Sequence, residues 1–159
     1  MRQTKPAFTL VEILIVVLLL GILAAIVIPN ITSLPRIARE SNLKENISKI
    51  RAHIQVYRNQ HSSFPTAADL GDQLTRFTNF RGDTADARST EYRYGPYIEQ
   101  MPANPISRLA TIRAAGAPDE ALPPGDADGG WWYNETTGRF YADLLDAHVD
   151  DQGEQYNHY

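Results

Sequence analysis

The chain has 159 residues, a formal net charge of −4 and no cysteine. The length admits one domain beyond a targeting segment, and the missing cysteine excludes a disulfide-stapled head or a thiolate metal site. A general nucleic-acid binder carries a net basic domain, so no nucleic-acid partner is expected.

Residues 1–7 are polar and basic, with Arg2 and Lys5. They have the character of a targeting n-region, held in the cytoplasm by the positive-inside rule, although Arg36, Arg39 and Lys44 lie beyond the apolar run that follows. From Phe8 to Ile28 every residue is apolar or small except Thr9 and Glu12. A continuous helix over this run would be about 31 Å long, the thickness of a bilayer's hydrocarbon core. A secretory signal would end in an Ala-x-Ala-type site, which Leu23-Ala24-Ala25 does not offer. Cleavage between Ala7 and Phe8 would instead keep the run in the mature protein. Glu12 stands out, because a carboxylate in lipid costs at least about 2.5 kcal/mol on insertion scales and needs a cation. The nearest free cation would be the Phe8 amine, on its own chain or on a neighbour; a neighbour's would reach it only if the two helices were offset by about one turn, so that pair would set register. Alternatively, Glu12 is a first-turn carboxylate facing the helix dipole. The residues alone leave both readings open.

The run Ala7-Phe8-Thr9-Leu10-Val11-Glu12-Ile13-Leu14-Ile15-Val16-Val17 resembles the prepilin N-terminus of type IV pilins and type II secretion pseudopilins. The resemblance implies that a dedicated prepilin peptidase cuts between Ala7 and Phe8 and methylates the new amine of Phe8. Ala7 stands where the family usually has Gly. By the same resemblance Glu12 is the residue that sets assembly register.

Downstream, Gly21 and Pro29 are expected to interrupt the helix with a kink or a locally melted stretch. From about Ile31 to His61 the pattern is helical again. Leu43, Ile47, Ile50, Ile54 and Tyr57 form one apolar stripe, more consistent with a face covered by a head domain than with a coiled-coil seam. Residues 36–58 hold six basic side chains against two acidic, whereas 119–159 hold ten acidic and only Arg139. These are read as solvated faces, or as surfaces that attract each other between copies. A short second helix is expected over Ala67–Phe77, capped by Ser63 or Thr66. Residues 81–91 are polar and loop-like.

The segment Gly95-Pro96-Tyr97-Ile98-Glu99-Gln100-Met101-Pro102-Ala103-Asn104-Pro105 resembles the stretch after the first helices of the major pseudopilin, and its prolines suit an irregular connection. Residues 108–129, rich in Gly and Pro, read as a long loop. The aromatic runs on either side of a polar turn with Gly138, within residues 130–143, are the clearest hairpin in the chain, also resembling the major pseudopilin's C-terminal sheet. This hairpin is the expected partner of the helical stripe. The tail, residues 144–159, is acidic and aromatic, and its order is left open.

Asp126, Asp128, Asp143, Asp146, Asp150 and Asp151 crowd the loops around the hairpin. Major pseudopilins bind calcium in a loop of the C-terminal sheet, so the resemblance implies calcium there, with a solvated acidic face as the alternative. His53, His61, His148 and His158 lack metal-ligand spacing, and no Gly-x-Ser-x-Gly or P-loop pattern is present, so catalysis is not expected.

These readings converge on an α+β, type IV pilin-like fold. A leader (1–7) precedes a hydrophobic transmembrane and polymerisation helix (8–29), an amphipathic helix (30–61) and a head (62–159) with a small C-terminal antiparallel sheet. The resemblance implies a type II secretion pseudopilus subunit, single-pass in the bacterial inner membrane with its head in the periplasm. Its implied partners are other pseudopilins in a homo-oligomeric filament, membrane lipid before assembly, the prepilin peptidase, the assembly platform with its cytoplasmic ATPase, and an outer-membrane secretin. The alternatives are a type IV pilin for adhesion, motility or DNA uptake, and a membrane-anchored binding protein that never polymerises.

Overall fold

A computed structural model describes residues 9–159, apart from the side chains of 25–34. Helix α1 runs Leu10–His61 and α2 runs Leu70–Thr75; five strands follow, β1 Phe77–Thr78, β2 Thr84–Ala85, β3 Ile112–Ala114, β4 Trp131–Asn134 and β5 Arg139–Ala142, and a 3-10 turn covers Tyr156–His158. The class is α+β, as the sequence reading has it. The chain divides into two units, Met1–Ala38 and Arg39–Tyr159. The second half of α1 falls in the same unit as the sheets.

In the first unit α1 is helical through Gly21 and Pro29, so of the kink or melted stretch expected there the backbone leaves room for the kink. A single Pro removes one backbone hydrogen bond, and the remaining ladder carries the helix past it. Every large apolar side chain from Leu10 to Leu23 is exposed, all round the helix. Among the described residues no helix is long and apolar enough to cross a membrane; the side chains of 25–28, the end of the apolar run, lie outside them.

In the second unit the predicted stripe is the core. Leu43, Ile47, Ile50, Ile54 and Tyr57 are buried in one cluster with Leu70, Leu74, Trp131, Tyr133, Phe140, Ala142, Leu144 and Tyr156. Each of the larger side chains among them stabilises the head by about 1.5–3 kcal/mol relative to exposure. The helix ends at His61, where Ser62 takes φ +61. The His61 ring is buried and stacked on Tyr57 with centroids 3.8 Å apart. Its Nδ1 lies 2.9 Å from the Tyr57 carbonyl oxygen and its Nε2 3.1 Å from Thr78 Oγ1. Burial pushes its pKa below the ordinary imidazole value, more than its hydrogen bonds raise it. The groups facing the ring are Tyr57, Tyr94, Tyr97 and Thr78, all uncharged. An unfolded chain therefore binds the His61 proton first, and stability falls as pH drops below about 6.5. Denaturation of the full chain in detergent at a series of pH values is expected to show stability declining as pH falls through about 6.5, with His61→Gln losing that part of it.

Helix α2 is shorter than expected. Asp69 precedes it without a side-chain cap bond, and the segment from Gly95 closes its other end: the amides of Tyr97 and Ile98 both donate to the Leu74 carbonyl, at 2.9 and 3.1 Å. Gly95 has φ +68, and a Cβ there would stand 2.7 Å from the Arg76 carbonyl oxygen, so the position demands Gly. The Tyr97 hydroxyl donates to Gln60 Oε1 at 2.7 Å, tying this turn to α1.

The main sheet is mixed, in the order β3-β4-β5. β4 and β5 form the predicted antiparallel hairpin, with Trp131 opposite Ala142 and Tyr133 opposite Phe140. Asn134 Oδ1 accepts from the amides of Thr136 and Thr137, and Gly138 turns the chain at φ +71. The antiparallel hairpin is the expected C-terminal sheet, and β3 extends it by pairing parallel to β4, with Ile112 opposite Trp131. Parallel neighbours require a crossover of a dozen or more residues. The Gly/Pro-rich stretch read as one loop thus contains a strand, and the part of it that follows β3 is that crossover. Asn134 Nδ2 pins it by donating to the carbonyls of Pro118 and Glu120, at 3.1 and 2.9 Å. The tail is ordered: Val149 bridges to Gln155, and Tyr156 and Asn157 are buried.

Candidate functional site

The apolar end of α1 is the first candidate. Thr9 is the residue before the helix, and its Oγ1 accepts the Glu12 amide at 3.2 Å, beside the Thr9 carbonyl at 3.1 Å. Thr9 thus satisfies one of the four amides a helix start leaves without partners. Glu12 lies in the first turn and is exposed, with its carboxylate at the positive end of the dipole. The Thr-x-x-Glu spacing is the sequence signature of such a start and went unread in the sequence. Ala7 and Phe8 lie outside the described residues. Gly21 sits within the helix with open space where a Cβ would be.

The acidic loops are the second candidate. Arg113, on β3, donates from Nη1 to Asp126 Oδ1 at 2.7 Å and from Nε to Asp143 Oδ2 at 3.2 Å. Its guanidinium holds the Asp126 carboxyl below the usual range. Burial pushes Asp143 up despite the Arg113 charge beside it. Asp128 pairs with His148 Nε2 at 3.0 Å and accepts the Leu145 amide. Asp146 Oδ1 accepts from Asn157 Nδ2 at 2.7 Å. Asp150 stands apart from these, accepting the amides of Gln152 and Glu154 and the Tyr159 hydroxyl. The six aspartates expected to hold calcium, Asp126, Asp128, Asp143, Asp146, Asp150 and Asp151, therefore do not form one ligand set. Among the described residues no group of three or more His, Cys, Asp or Glu could hold a metal ion. The physical reason is that the first four already face donors of the protein itself, from β3, the 143–148 segment and the tail. The residues present do not fit calcium.

A family model described as the prokaryotic N-terminal methylation motif matches residues 3–28. The chain is 28% identical over 124 residues to the type II secretion system core protein G of Pseudomonas aeruginosa, covering 78% of each. It is 31% identical to the core protein G of Vibrio cholerae, over 65% of this chain and 66% of that one. It is also 31% identical to the type IV major pilin protein PilA of Myxococcus xanthus, over 70% of this chain but 46% of the pilin. The chain belongs to the pilin-like prepilin family that includes type II secretion core protein G. No solved structure matches the chain significantly.

Several residues that build this pilin-like head were not singled out in the sequence. Asn104, between Pro102 and Pro105, is fully buried and donates from Nδ2 to the Gly130 carbonyl at 2.8 Å. Trp131 Nε1 donates to the Pro102 carbonyl at 2.8 Å, so the Pro-x-x-Pro segment is fastened to the first residue of β4 and to the residue before it. Arg51, on α1, donates from Nε to the Phe140 carbonyl at 2.9 Å and from Nη2 to the backbone oxygen of Tyr159. An isolated polar residue at i, i+3 or i+4 from an apolar stripe is the only signal that marks Arg51, and it does not say what the residue reaches.

Proposed function

We propose that the chain is a structural subunit of a type II secretion pseudopilus. On this reading the prepilin peptidase cuts between Ala7 and Phe8, Phe8 is N-methylated, and the apolar segment holds the subunit in the bacterial inner membrane with its head in the periplasm. The platform and its ATPase then lift subunits into a homo-oligomeric filament that drives export through the secretin. The reading assigns the chain no catalysis. The observation that carries it is the exposed apolar helix from Leu10 to Leu23 with Glu12 in its first turn, in a chain with the methylation motif. A helix apolar all round needs lipid or other helices as cover, and subunit assembly exchanges one for the other. Glu12 would then find its cation in a neighbour's amine and set the stagger.

Electron microscopy of material sheared from cells overproducing the chain tests the proposal. Short filaments containing the chain are expected. A chain found only as membrane-bound single subunits would favour a non-polymerising anchor instead. The likeness to PilA favours one second reading, a type IV pilin; in that case deleting the chain removes surface fibres and leaves protein export intact.

A further inference from the structure

The acidic loops hold a buried charge whose compensation comes from one side chain. Asp143 is 3% exposed. Its carbonyl accepts the Gly129 amide at 2.7 Å, and a Cβ on Gly129 would stand 2.1 Å from Asp143 Oδ2, so the carboxylate is wedged against the end of the crossover. Oδ1 has no hydrogen-bond partner. Oδ2 meets Arg113 Nε, and the same guanidinium reaches Asp126 on the crossover. One planar cation on β3 thus joins the end of β5 to the loop before β4. We propose that Arg113 is the structural cation of this loop pair, serving in place of a divalent ion, so that the head folds without metal.

The geometry of the two solutions differs. Calcium takes six to eight oxygens, which would require Asp126, Asp128, Asp143 and Asp146 to turn toward one centre. A guanidinium is always charged and presents its donors in a fixed fork, so it compensates two carboxylates while the others keep donors of their own. His148 on Asp128 and Asn157 on Asp146 complete that arrangement. Its permanent charge also repels a dication from the same space.

Thermal unfolding of the full chain in detergent, followed with excess chelator and with millimolar calcium, tests the assignment. The wild type is expected to melt at the same temperature in both. Arg113→Met is expected to melt about 10 °C lower or more in chelator, because a buried carboxylate loses its partner. If that variant does not fold, the double variant Arg113→Met with Asp143→Asn decides the matter. Removing the buried charge should restore folding and recover most of the lost melting temperature. A wild type that melts lower in chelator than in calcium would overturn the proposal. So would an Arg113→Met chain as stable as the wild type, or a double variant no better than the single one, which would make Arg113 a packing residue.

Discussion

Replacing Glu12 with alanine is expected to leave the chain in the membrane and its head folded, yet abolish filaments. The head is the unit Arg39–Tyr159, and Glu12 makes no contribution to its core. The loss at the helix end is that of a first-turn carboxylate, about 0.3–1 kcal/mol, and Thr9 still caps the helix through its hydroxyl. The apolar residues that retain the segment in lipid are untouched. Assembly differs under the proposed function, in which the carboxylate would be desolvated among neighbouring helices and its loss would leave the Phe8 amine of another subunit without a partner. Removing one partner of a buried pair costs about 3–5 kcal/mol, a hundredfold or more at every subunit addition. Glu12→Gln keeps the size and one acceptor but not the charge, and should assemble poorly rather than not at all. Membrane fractionation and filament counts from the same cells separate the two effects. Normal filaments from Glu12→Ala would reduce Glu12 to a helix-end residue and remove the register argument.

The second large effect lies in the head. Trp131→Ala is expected to unfold it at physiological temperature. Trp131 is fully buried, packs on Phe140 with ring centroids 5.2 Å apart, and holds the Pro102 carbonyl through its indole N–H. Truncation of a buried aromatic costs about 3–5 kcal/mol, and the abandoned Pro102 carbonyl adds about 1 kcal/mol or more. Against a total of about 5–15 kcal/mol for a domain, and less for a small one, this leaves little. Trp131→Phe keeps most of the volume and should lose only about 1–3 kcal/mol. Urea denaturation of the full chain in detergent, followed by circular dichroism, gives both numbers. A Trp131→Ala head that unfolds at wild-type urea would mean that the stripe is held by other contacts.

What could be read from the sequence was whatever is written in local periodicity. Leu43 to Tyr57 repeat at helical spacing, and the aromatic runs around Gly138 alternate as strands, so the two surfaces of the core and their pairing were legible. Strand β3 was not, because Ile112–Ala114 is too short to show a period and pairs parallel across a crossover. The aspartates were visible as a crowd, but their partners were not. Arg113, His148 and Asn157 reach them from other elements, and composition says nothing about which donor arrives first. Thr9 was legible in principle through its spacing to Glu12. Asn104 looked like one more polar residue in a proline-rich connection, and only the fold shows that it fastens that connection to the residue before β4.

The tail that closes on the helix also governs when the head can exist. Leu43 and Tyr156 share one core, and Arg51 bonds the backbone of a residue 108 positions later. Contacts of that span make folding slow, since chain closure must precede the packing that rewards it. As the chain emerges during synthesis, no early portion of the head can cover the stripe from Leu43 to Tyr57 completely. Until the residues around Tyr156 arrive, that stripe stays available to other chains, and the interval in which subunits can associate wrongly ends only when the tail docks.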